Sequence, residues 1–197
     1  MFVYIYQYKF NDSSDFESLI PFEILPKPKE LITASSTDSQ SSNTNYKYEP
    51  ILKKVLSSPY MNYPFYLIIE TYSKESVEKE ISGNQLNYLL LLEKPNTVVF
   101  KVVIEDEKDL LAMLPTLYTS GTNSLFNLMT EFDEIVCLND NQIRIDLSKN
   151  PASKSLCFLY DLQELCFLGY EEPQDKAFIK NIFLQGSVIV DDLEIEL

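Results

Sequence analysis

LNYLLLLEKPNTVVFKVVI, residues 86–104, reads as two strands folded back on each other around Lys94-Pro95-Asn96. The second arm, Thr97 to Ile104, is dense in β-branched side chains, the composition that suits a pleated and half-buried surface. In the first arm, Leu86 to Glu93, leucines dominate, and leucine suits a helix equally well. The short proline-containing connection decides for a hairpin. A second hairpin is read over 134–147, where Glu134–Leu138 and Ile143–Leu147 flank the polar turn Asn139-Asp140-Asn141-Gln142.

Further strands are predicted at Phe2–Phe10, Phe65–Tyr72, Ser155–Tyr160, Ser187–Val190 and Leu193–Leu197, with Leu162–Leu168 open between strand and helix. Helices are predicted near 106–118, with Leu110, Leu114 and Leu117 at helical spacing, near 123–132, and over 173–184, with Phe178, Ile182 and Phe183 facing inward. Pro115 should end or kink the first of these. A shorter helix is expected at Lys74–Ile81, with Val77 and Ile81 on one face and Gly83 as its stop, and two brief ones after Ser14 and Pro50. Strands cluster through hairpins and helices fall between them irregularly. The fold class is therefore α+β, with a largely antiparallel or mixed sheet. No repeat is found, and 1–197 reads as a single domain with a flexible Ser-rich loop at about 33–46, where the chain is almost purely polar.

The net charge of −14 is unevenly spread. Residues 1–50 carry 4 Lys and 7 acids, and residues 51–104 carry 6 Lys and 5 acids. Residues 105–197 carry 5 Lys, Arg144 and 18 acids, a net −12. Such a half repels phosphate backbones and anionic lipid, and attracts basic protein surfaces. With Arg144 the only arginine, bidentate phosphate or guanine recognition is poorly served. Nucleic acid and membrane are not expected partners. No apolar run approaches a bilayer span, and Met1–Tyr6 lacks the basic and small-residue features of a signal peptide. Three cysteines, Cys137, Cys157 and Cys166, lie among apolar neighbours and read as buried thiols of an intracellular protein, cytoplasmic or nuclear.

Histidine is absent, which removes imidazole base catalysis, Ser-His-Asp and Cys-His nucleophiles, and His-bearing zinc sites. Gly83, Gly121, Gly169 and Gly186 are isolated, so no glycine-rich phosphate cradle can form. Ser76 and Lys79 have Ser-x-x-Lys spacing, but neighbouring Lys74, Glu75, Glu78 and Glu80 describe a solvated helix. Asp191, Asp192, Glu194 and Glu196 crowd six residues and offer oxygen ligands of the kind magnesium or calcium takes. A charged edge strand that resists aggregation has the same pattern. Asp140 and Asp146 read as turn and solvent-side residues. Tyr4, Tyr6 and Tyr8 alternate and should form one aromatic face, suited to a helix or a partner subunit.

Neither catalytic residues, nor a metal site, nor a cofactor is assigned. The expected function is that of a non-catalytic protein-binding subunit or adaptor, in a hetero-complex, whose acidic C-terminal half meets a basic partner surface. Asp191, Asp192, Glu194 and Glu196 are its expected contacts. An acidic stoichiometric inhibitor, either an immunity protein or a nucleic-acid mimic, is the alternative, and a carboxylate-metal enzyme the third.

Overall fold

A computed structural model describes residues 2–9, 23–25, 30–36, 62–121, 127–131, 136–139, 142–146, 148, 154–159, 164–169, 173–184 and 189–196. The strands are β1 (Phe2–Lys9), β2 (Glu23–Leu25), β3 (Glu30–Ser36), β4 (Phe65–Thr71), β5 (Tyr88–Lys94), β6 (Thr97–Ile104), β7 (Asn127–Thr130), β8 (Val136–Asn139), β9 (Gln142–Asp146), β10 (Ser155–Leu159), β11 (Glu164–Leu168) and β12 (Ile189–Glu196). Among the described residues three helices join them: α1 (Lys74–Gly83), α2 (Glu107–Gly121) and α3 (Pro173–Leu184).

Nine strands form one sheet in the order β12-β1-β3-β11-β10-β7-β4-β6-β5. All its ladders are antiparallel except β1 with β12. A smaller sheet, β2-β9-β8, holds the second predicted hairpin. The fold is thus α+β with a mixed, mainly antiparallel sheet, and both predicted hairpins are present.

The register explains the core. Ile5 lies opposite Ala34, Ala34 opposite Leu165, Leu156 opposite Met129, Met129 opposite Leu67 and Leu67 opposite Val102. This row runs across the sheet on one face and forms a single buried cluster with Val77 and Ile81 of α1, Leu110, Met113, Leu114 and Leu117 of α2, and Ile179, Ile182 and Phe183 of α3. The other face is buried through its centre as well, at Ile68, Leu128, Cys157, Cys166 and Thr33. Strands buried on both faces lose the polar alternation that marks a half-exposed strand.

That loss accounts for the main correction. The helix read over 123–132 is strand β7 across 127–130, whose four residues are all buried. Leu125, Leu128, Met129 and Phe132 satisfy a helical period, but Leu128 and Met129 serve opposite faces of the sheet, opposite Ile68 and Leu67. Thr33 to Ser36, read as the start of the Ser-rich loop, belong instead to β3, where β1 pairs all four and β11 pairs Thr33 to Ser35. Small side chains are tolerated there because both neighbours supply the packing. The rest of that segment, the helices expected after Ser14 and Pro50, Asp140 and the Cys137 side chain lie outside the described residues. Pro115 does not end α2, which continues to Gly121. Pro115 is exposed, as is Leu111, whose carbonyl loses its helical partner, while Leu114 and Leu117 anchor the turn in the core. Finally, the two C-terminal strands are one, since Asp191 and Asp192 continue the ladder with β1.

α1 begins at Ser73, whose hydroxyl accepts from the Ser76 amide. It ends through the Asn84 cap, with Gln85 rather than Gly83 adopting positive φ. Gly83 is helical and has open space where a Cβ would sit. Gly83→Ala should therefore raise stability by about 0.5–1 kcal/mol, read as a higher urea midpoint.

Candidate functional site

The four acids singled out by sequence lie on β12, at one end of the nine-stranded sheet. Its only partner strand among the described residues is β1, and the parallel register sets Asp191 against Tyr4, Asp192 against Ile5, Glu194 against Gln7 and Glu196 against Lys9. One backbone edge of β12 therefore has no partner strand among the described residues. Asp192, Glu194 and Glu196 hold every second position of the strand, and Asp191 belongs to the intervening set. All four are brought to the same edge.

Behind that edge, β1, β3 and α3 meet. The Glu30 carboxylate accepts from Lys176 Nζ at 2.6 Å and from Gln7 Nε2 at 2.8 Å. These partners lie 146 and 23 residues from Glu30. No local spacing could have announced the cluster, and sequence reading missed it. The Lys176 hydrogen bond is the main cause that holds the Glu30 pKa below its ordinary 4.5, against a smaller opposing effect of burial. Ile5, Gln7, Ile32, Lys176, Ile179 and Lys180 line a cleft beside it, about large enough for one water.

The Glu30 shift has a pH consequence. A carboxylate depressed on folding stabilises the fold above its unfolded pKa, and that stability is lost as pH falls through the lower folded value. Wild-type protein should lose part of its stability below about pH 4.5 from this source. Glu30→Gln should remove that part of the acid limb, seen in urea midpoints taken from about pH 5 to about pH 3.

On the opposite face of β1, the tyrosines form the aromatic row that alternation predicts. Tyr4 and Tyr6 stack with centroids 6.3 Å apart at 24°, and Tyr6 and Tyr8 at 6.0 Å and 26°. The three rings are half-buried, and the helices pack on the other side, around Ile5.

The remaining candidates separate. Ser76 and Lys79 are exposed on α1 among Glu75 and Glu80, the solvated face that the charges suggested. Asp146 Oδ1 accepts from the Ser148 amide at 3.0 Å and from the Ser148 hydroxyl, closing a turn. Arg144 Nε donates to Glu23 Oε2 at 2.7 Å, clipping β9 to β2. Among the described residues, no three Cys, Asp or Glu side chains converge as metal ligands do, and no helix is long and apolar enough to cross a membrane. Cys157 and Cys166 are buried thiols, not joined in a disulfide.

In class, the molecule is an α+β protein built on one long open sheet with an acidic strand at one end. No protein-family model, curated protein or solved structure matches the chain.

Proposed function

We propose that this chain is a non-catalytic protein-binding subunit of an intracellular complex, and that β12 receives a basic, extended segment of a partner protein as a further strand. The observation that supports this reading is the position of Asp191, Asp192, Glu194 and Glu196 on an end strand, one edge of which has no partner strand among the described residues. Strand addition draws its affinity from main-chain hydrogen bonds and its selectivity from alternate side chains. Here the alternate positions are acidic, so lysine or arginine at every second residue of the incoming segment answers them. Charge also disfavours a second copy at this edge, because two acidic strands repel, and it speeds encounter with a basic partner.

Titration with a labelled peptide of alternating Lys/Arg and Val/Thr tests this. Saturable binding should weaken steeply with salt. It should fall by more than about tenfold in the variant Asp192→Lys, Glu194→Lys, Glu196→Lys. Binding that ignores the triple reversal, or no binding at low salt, overturns the reading. The acids would then serve only to keep the edge from aggregating.

A further inference from the structure

Cys157 on β10 and Cys166 on β11 are directly opposite each other in an antiparallel ladder. Neither is in a disulfide, and both are fully buried. Opposed residues of such a ladder have Cα atoms about 4.5–5.5 Å apart. A disulfide needs about 4.4–6.8 Å. The register alone thus meets the distance condition, and alternation sends both side chains to the same face, between Leu128 and Thr33. We infer that Cys157 and Cys166 constitute a two-electron oxidation site, which closes as a cross-strand disulfide across the middle of the sheet.

The location gives the bond its effect. In the strand order, β12, β1, β3 and β11 lie on one side of the β11–β10 ladder, and β10, β7, β4, β6 and β5 on the other. A Cys157–Cys166 bond joins these two groups covalently at their seam. The reaction balances with a small organic disulfide as oxidant. One cysteine thiolate attacks it, forming a mixed disulfide and releasing one thiol. The second cysteine thiolate attacks that mixed disulfide, forms the protein S–S bond and releases the second thiol. Two protons and two electrons leave the protein, and two small thiols are produced.

Burial sets when this occurs. Exclusion of water, and secondarily the proximity of Cys166, raises the Cys157 pKa well above its ordinary 9.0, so thiolate is scarce in the closed sheet. The oxidant also has no route to either sulfur there. The site therefore reacts while the β10–β11 hairpin is open, and the bond is shielded from reductants once the sheet closes over it.

The test uses the full chain with oxidised glutathione, in urea at the unfolding midpoint and in buffer. In urea the chain should lose two hydrogens in mass, beside any glutathione adduct on Cys137, and after cleavage at Asp161 or Glu164 the Cys157 and Cys166 peptides should stay joined. Folded protein should react at least tenfold more slowly. After refolding, the cross-link should resist reductant until urea is restored, and the urea midpoint should rise. Cys137→Ser should leave all of this unchanged, whereas Cys157→Ser should stop at a glutathione adduct on Cys166. Joining through Cys137, adducts that persist unjoined on both cysteines, or a cross-linked chain that fails to recover native circular dichroism overturns the inference.

Discussion

Phe100→Ala should destabilise the protein by about 3–5 kcal/mol, measured as a lower urea midpoint with an unchanged slope. Phe100 is 0% exposed on β6, opposite Ile69 of β4 and Leu90 of β5, with the Tyr88 ring 5.8 Å away at 55°. Neighbours on β4 and β5 hold their places around it, so the vacated volume collapses only in part, and the cavity adds to the lost transfer energy. A domain of this kind has only about 5–15 kcal/mol in total, so a substantial unfolded fraction follows. Leu89→Ala on the same hairpin is the matched control. Leu89 is 57% exposed at the edge strand, and its loss should cost no more than about 0.5 kcal/mol.

Asp175→Asn should cost about 2–4 kcal/mol, and the loss should change little with salt. Asp175 is only 2% exposed in the first turn of α3, where its carboxylate accepts from Lys154 and faces the positive end of the helix. The amide keeps the shape but removes the charge, leaving the Lys154 ammonium, itself largely buried, without its carboxylate. Removing the lysine charge too, as Lys154→Met with Asp175→Asn, should recover part of the loss, because the cost lies in the uncompensated cation. Thermal or urea unfolding of the single and double variants measures both steps.

The residues legible in advance share a physical trait: their environment is written in their own neighbourhood. The 86–104 hairpin has a turn between apolar runs, α3 has Phe178, Ile182 and Phe183 at helical spacing, and Tyr4, Tyr6 and Tyr8 alternate. What was misread owes its conformation to distant strands. β7 is only four residues long and is strand because β4 and β10 flank it. Thr33 to Ser36 look like linker until β1 and β11 bracket them. The acids of β12 were legible as a cluster, but their place at the end of the sheet depends on a partner strand almost the whole chain away. The Glu30–Lys176–Gln7 contact carries no local sign at all.

The parallel pairing of β1 with β12 has a consequence for biosynthesis. As the chain leaves the ribosome, residues 2–9 appear long before residues 189–196, the strand that completes their second ladder. Until then β1 offers a bare hydrogen-bonding rim to any passing extended chain, a recognised route to misassembly. Closure across so long a stretch of polypeptide is also slow. The nascent chain should accordingly depend on chaperone shielding of β1 until residues 189–196 emerge.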